Sequence, residues 1–194
     1  MKRKLIQQID YDMKNRLPEK RYIHTQGVAF IAAALAMRYG YNIKDAQIAG
    51  LLHDCAKYMG DEKLITICNL SGINLSDVEL NNPYLLHGKV GALIAAEEYT
   101  IKDDNILNAI RYHTTGKPEM NLLEKIIFIA DYIEPSRKKI PGLDEIRQSA
   151  FIDMDQTVFM ILSNTISYLK DENEKEIDPV TVEALNYYTI ERSK

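Results

Sequence analysis

Four histidines, His24, His53, His87 and His113, stand at the edges of apolar helical patterns. His24 lies in His-Thr-Gln-Gly-Val, at the expected start of a helix. His53 precedes Asp54 in Leu-Leu-His-Asp-Cys-Ala-Lys. His87 lies in Leu-Leu-His-Gly-Lys-Val-Gly-Ala, and His113 in Ile-Arg-Tyr-His-Thr-Thr-Gly. Two carboxylates share this placement: Asp54, flanked by Leu51, Leu52 and Cys55, and Asp131, which follows the apolar run Ile126 to Ala130. A carboxylate buried in such company is costly unless an arginine, a helix N-terminus or a metal compensates it. A lone histidine at a helix end is ordinarily a cap or a satisfied core residue. Six such groups at helix ends, where chain segments converge, point instead to a metal site. Mixed imidazole and carboxylate donors suit iron, manganese, zinc, cobalt or nickel, whereas an all-oxygen cage suits magnesium or calcium. Six donors exceed what one tetrahedral zinc requires and match two metals sharing a bridging carboxylate.

The elements that must position these groups read as helices throughout. Leu5, Ile9 and Met13 suit a first helix, which Pro18 ends unless it starts a new segment. A second runs from Tyr22 to Thr25 through Leu35 to Tyr39, with Gly40 as its stop. Asn42 caps a third, through Ala46, Ile48, Ala49, Leu51 and Leu52. Asp61 to Asn69 forms a short helix, and Ser76-Asp77-Val78-Glu79 matches a capping box. Asn82-Pro83 leads a helix from Tyr84 toward Tyr99. Asp103 or Asp104 starts the next, and the apolar run Leu122 to Tyr132 predicts a central helix. Leu143 to Leu169 is the longest helical pattern, and Asp178-Pro179 opens a last helix ending near Glu191. Nothing alternates like a strand, so the predicted class is all-α.

Composition narrows the function. The 194 residues are 46% apolar, enough for a core, and carry a formal net charge of -4. That balance argues against a general nucleic-acid binder but not against an anionic small substrate, since metals and a few basic residues can reverse the field of one cleft. Cys55 and Cys68 make neither a disulfide framework nor a zinc finger and read as buried thiols in a reducing cytoplasm. No signal peptide or membrane span is expected.

His24, then His53-Asp54, then Asp131 resembles the ordered signature of HD-domain phosphohydrolases, and His87 and His113 resemble the subset with two metals. The words Leu-Leu-His-Asp-Cys-Ala-Lys, His-Gly-Lys-Val-Gly-Ala and Ala-Asp-Tyr-Ile-Glu-Pro-Ser-Arg are similar to the YqeK-type family of symmetrical diadenosine tetraphosphate hydrolases, which use iron. No motif residue is missing. The resemblance implies one helical domain over residues 1–194, with its metal core at about 21–141 and a helical extension at about 142–194. It implies that His24, His53, Asp54 and Asp131 hold a first metal, and that Asp54 bridges to a second held by His87 and His113. Two divalent metals are thus expected, iron by resemblance, with manganese or another transition metal compatible.

A phosphoanhydride repels hydroxide; metals lower the pKa of a bound water toward ~7 and neutralise phosphoryl oxygens. Asp54 and Lys57 are the expected catalytic residues. Lys57 follows Asp54 by three positions and is placed to meet a phosphate oxygen, although a snorkelling surface lysine has the same signature. Lys89, Arg137, Thr114 and Thr115 are the further substrate-binding candidates; their ordinary readings are a solvated face, an ion pair or a helix stop. Tyr58, Tyr84, Tyr112 and Tyr132 could stack on a base or simply fill the core. The expected partner is a small nucleotide, with no nucleic acid and no membrane. A homodimer is compatible, though Met154, Phe159, Ile161 and Leu162 are most simply packing. Competing readings keep the site but change the substrate to a nucleoside phosphate, a cyclic nucleotide or a guanosine alarmone, or make the chain a nucleotide sensor or a helical interaction protein with structural histidines.

Overall fold

Caps and breakers cut the apolar pattern into eleven α-helices among the residues described in a computed structural model, 2–137, 140–171 and 176–191. These are α1 (Lys2–Arg16), α2 (Glu19–Tyr39), α3 (Ile43–Leu52), α4 (Asp61–Leu70), α5 (Asp77–Asn81), α6 (His87–Glu97), α7 (Asp104–Arg111), α8 (Leu122–Ile133), α9 (Leu143–Ser149), α10 (Met154–Asp171) and α11 (Pro179–Glu191). A 3-10 turn, Pro83–Leu86, precedes α6. No strand occurs among the described residues, so the all-α expectation holds. None of the described helices is long and apolar enough to cross a membrane.

The starts follow the chemistry of the orphan amides. The Asn42 side chain accepts from the Lys44 and Asp45 amides, and Asp103 accepts from that of Asn105. Ser76 with Glu79, and Asn121 with Glu124, close reciprocal capping boxes. Gly40 ends α2 at φ 73°, where a side chain would be strained.

Three boundaries differ from the sequence reading. Pro18 takes the N-cap position and α2 begins at Glu19, so His24 lies inside the helix rather than at its start. The Tyr84 to Tyr99 pattern divides at His87 into the 3-10 turn and α6. The Leu143 to Leu169 pattern is two helices: the chain turns at Phe151 and Ile152, and the Asp153 carboxylate accepts the Gln156 amide to restart it as α10. Ile152 is 74% exposed, so its apolar character misled the periodicity.

Two helices form the interior. In α3, residues Ala46, Ile48, Ala49, Gly50, Leu51 and Leu52 are all buried, and the helix packs against α1, α2, α7 and α8. In α8, Leu123, Ile126 to Ala130 and Ile133 are buried, which places this helix at the centre as its apolar run required. Burying each such large aliphatic side chain stabilises the fold by about 1.5–3 kcal/mol. Met154, Ile161 and Leu162 carry α10 onto this core, and α11 packs on α10. Two close approaches bring the histidine-bearing ends together. A Cβ on Gly50 would lie 2.8 Å from Ala29 Cα, so α3 meets α2 backbone to backbone. A Cβ on Gly88 would lie 2.6 Å from the Arg111 carbonyl oxygen, so α6 lies directly on the end of α7.

Candidate metal centre

The six predicted donors arrive on five segments. His24 comes from the second turn of α2, His53 and Asp54 from the end of α3, His87 from the start of α6, His113 from the turn after α7, and Asp131 from the last turn of α8. His24, His53, Asp54, His87 and His113 are all buried, His53 completely. The structure brings all six together.

Asp54 stands in the middle, and its two oxygens face different partners. Oδ2 lies 3.5 Å from His53 Nε2 and 3.8 Å from His24 Nε2. Oδ1 lies 3.3 Å from His87 Nε2 and 3.5 Å from His113 Nε2. Asp131 Oδ1 belongs to the first group, 3.0 Å from His24 Nε2 and 3.9 Å from His53 Nε2. Donor atoms of His24, His53 and Asp131, and separately of His53, Asp54 and His113, fall within 4.8 Å of one another. His53 is common to both groups, and the two oxygens of Asp54 face His24 and His53 on one side and His87 and His113 on the other.

The ring orientations test whether a metal fits. His53 Nδ1 donates to the Gly50 carbonyl at 2.7 Å, His87 Nδ1 to that of Tyr84 at 2.5 Å, and His113 Nδ1 to that of Ile110 at 2.7 Å. A carbonyl only accepts, so each Nδ1 bears the proton and each Nε2 presents a bare lone pair to the centre. The Nε2 atoms of His87 and His113 are 3.0 Å apart, and those of His53 and His24 are 3.3 Å apart. Lone pairs so arranged repel unless a cation or proton lies among them, so the donor set fits metal ions. Burial pushes the His87 imidazole down to about 4, with His113 and Lys57 adding to the shift, so the ring is neutral as a ligand must be. Burial alone would raise the Asp54 carboxyl; positive charge or protons at the Nε2 atoms of His53, His113 and His87, the place a metal cation would take, hold it well below the usual range. Burial also opposes ionisation of Asp131, and His24 and Arg137 more than reverse that. At His24 burial opposes the proton, while Asp131 and Glu134 outweigh it and raise the pKa.

Comparison with known proteins agrees with this geometry. The HD domain profile matches residues 21–136. The chain belongs to the HD-domain family. The chain is 43% identical over 162 residues, 84% of its length and 86% of the relative's, to the symmetrical bis(5'-nucleosyl)-tetraphosphatase of Bacillus subtilis (strain 168). It is 41% identical to the protein of that name in Staphylococcus aureus (strain NCTC 8325 / PS 47), over 90% of each chain. The crystal structure of a protein described as a predicted HD superfamily hydrolase involved in NAD metabolism, from Clostridium acetobutylicum, superposes with a TM-score of 0.91 at 44% identity, covering 95% of this chain and 97% of that one.

A cleft of about 820 Å³ opens onto the His24 side of this HD domain, lined by Lys20, Arg21, Lys57 and Arg137 with Ile23, Tyr58 and Ile140 among the rest. Lys57 reaches the site for a reason the helix pattern did not contain. After α3 the chain winds in three-residue turns, with Lys57 N donating to Asp54 O at 2.9 Å, so Lys57 stacks over Asp54. Its ammonium lies 3.5 Å from His87 Nε2 and 5.7 Å from the Tyr84 ring centroid, and burial lowers its pKa. The Thr114 hydroxyl lies 3.2 Å from His87 Nε2 and 3.0 Å from His113 Nε2. Arg137 donates to the carbonyl and carboxylate of Asp131, each at 3.0 Å. The structure does not bring Lys89 and Thr115 to the six donors. Lys89 pairs with Glu79 at 2.6 Å, Thr115 donates to the Gly116 carbonyl, and both line a separate cleft with Tyr112. Tyr58 is 42% exposed in the main cleft.

Sequence reasoning missed two residues of this HD domain. Arg21 donates to Asp54 Oδ2 at 2.7 Å; its position three residues before His24, nearly one turn away, was the available signal. Glu134 is 1% exposed, and His24 Nδ1 donates to its Oε1 at 3.0 Å. Burial would raise the Glu134 carboxyl, but His24 and Ser136 lower it.

Proposed function

We propose that the chain is a metal-dependent hydrolase that cleaves diadenosine tetraphosphate symmetrically to two ADP. The observation that carries this is the Asp54 carboxylate, whose two oxygens face two separate sets of imidazoles. On this reading His24, His53, Asp54 and Asp131 hold one metal, and Asp54, His87 and His113 the other. When bound, the pair supplies a water acidified toward ~7 and positive charge for the phosphoryl oxygens. The mixed donor set suits iron or manganese.

The chain's own residues bind and orient the substrate. Lys20, Arg21, Lys57 and Arg137 line the cleft; Arg21 is paired with Asp54 and Arg137 with Asp131, and Glu134 is turned into His24. The phosphates of a dinucleoside polyphosphate are anionic at neutral pH, and the lysines of this lining attract them. Lys57, beside both Asp54 and His87, is placed to hold an oxygen of the phosphorus under attack, and the Thr114 hydroxyl to donate to another. The exposed faces of Tyr58 and Ile23 offer a platform for one adenine.

The test is anaerobic purification, a count of metal per chain, and product analysis with diadenosine tetraphosphate. Two metals and ADP as sole product are expected. AMP with ATP would refute symmetrical cleavage, and absence of metal with absence of turnover after iron or manganese is added would refute the hydrolase.

A further inference from the structure

Three of the four central rings are oriented by main chain. Gly50 and Ile110 lie in the last turns of α3 and α7, where carbonyls lack an intrahelical partner, and Tyr84 lies in the 3-10 turn before α6; each accepts from the imidazole three residues on. His24 has no such carbonyl. It stands within α2, where the carbonyls of the preceding turn are consumed by the helix ladder. Its Nδ1 needs an acceptor from another element, and the end of α8 supplies one in Glu134.

Glu134 is itself held firmly. Its Oε1 accepts from Ser136 Oγ and its Oε2 from the Ser136 amide, both at 2.7 Å. Arg147, from α9, donates to the Ile133 carbonyl at 3.0 Å and to that of Glu134 at 3.1 Å, fixing the end of α8. A Cβ at Gly27 would come within 2.6 Å of Glu134 Oε2, so the glycine admits the carboxylate against α2. Among the described residues no lysine or arginine side chain pairs with this carboxylate; its charge faces His24.

We propose that Glu134 is a positioning residue that fixes His24 toward its metal and makes the His24 side the tighter of two metal positions. The inference rests on the two-metal reading above. Carboxylate support at the far nitrogen fixes a ligating imidazole and raises its basicity. The His24 side has Asp131 and Glu134 besides one oxygen of Asp54. The His87 side has the other oxygen of Asp54 and the Lys57 ammonium, 3.5 Å from His87 Nε2. Arg21 and Arg137 also face the first side, but their side chains are 38% and 34% exposed and are screened by water, whereas that of Glu134 is 1% exposed.

The experiment titrates the metal-free full-length chain with Mn2+ by calorimetry, for the wild type, Glu134→Gln and Glu134→Ala, with thermal melts of each metal-free form. The wild type binds two ions in two resolved steps. In Glu134→Gln the tight step weakens by about 10–100-fold, the weak step stays within about twofold, and the metal-free melting temperature hardly moves. Equal weakening of both steps with a lower melting temperature would make Glu134 a structural brace and overturn the proposal, as would an unchanged tight step. If the alanine variant fails to fold, the isosteric glutamine variant still decides. A wild type that binds fewer than two ions would overturn the two-metal reading itself, and this inference with it, before any variant is compared.

Discussion

The approach of α6 to α7 makes Gly88→Ala an informative perturbation. The added Cβ would meet the Arg111 carbonyl oxygen at 2.6 Å and the Ile110 carbonyl oxygen at 3.3 Å. Both are backbone atoms, so no side chain can swing aside. Reaching ordinary contact requires the start of α6 to move by roughly 1 Å. Alanine also gains up to about 1 kcal/mol of helix propensity over glycine. Overpacking costs about 1–3 kcal/mol, so the net effect on stability is small. At about 2–4 °C per kcal/mol for a chain of this size, the melting temperature falls by no more than several degrees. The site should suffer far more. His87 is the residue before Gly88, and its Nε2 lies 3.0 Å from that of His113, whose segment forms the other side of the contact. Metal ligation tolerates displacements of about 0.2 Å, and a 1 Å misplacement can cost about 100-fold in turnover. The assay is metal stoichiometry and turnover beside a melting curve. Two tightly bound metals and wild-type kcat in Gly88→Ala would refute the claim that this close approach assembles the second position.

Asp54→Asn should abolish turnover and reduce metal content while leaving the circular dichroism helical; retention of both metals would remove the bridge. Lys20→Ala should raise KM for diadenosine tetraphosphate several-fold with little change in kcat, an effect that added salt diminishes; an unchanged KM would take Lys20 out of substrate binding. In chelator, stability should fall as pH drops from 6.5 toward about 4, because the unfolded chain takes up a proton on His87 that the folded chain refuses. That slope is worth up to roughly 3 kcal/mol. His24, with its raised pKa, opposes it, since its contribution is present at low pH and lost as pH rises. Urea titrations of His87→Gln should therefore show a shallower loss over this window, and an unchanged slope would clear His87 of responsibility.

The six central donors were legible because burial pressure is visible in sequence: Asp54 and Asp131 sit in apolar runs that need a charge partner. Capping boxes at Ser76 and Asn121 follow from spacing alone, although the sequence reading identified only the first. What could not be read was the angular relation between segments. Lys89 sits two residues from His87, yet its stem points to Glu79 and another cleft. Glu134 was written in the motif, but its meaning depends on α8 ending against α2, which no local spacing encodes. The turn at Phe151 and Ile152 was hidden because two apolar residues continued a helical period that the Asp153 cap interrupts.

Orientation by peptide carbonyls gives His53, His87 and His113 a form of insurance against mutation. The acceptor atom at residues 50, 84 and 110 is present whatever side chain the codon specifies. Selection at Tyr84 is therefore free to answer to Lys57, which lies over its side chain, with the imidazole it aims left undisturbed. His24 alone depends on a genetically erasable acceptor, so a single nucleotide change at codon 134 reaches the centre by a route that its three companions do not offer.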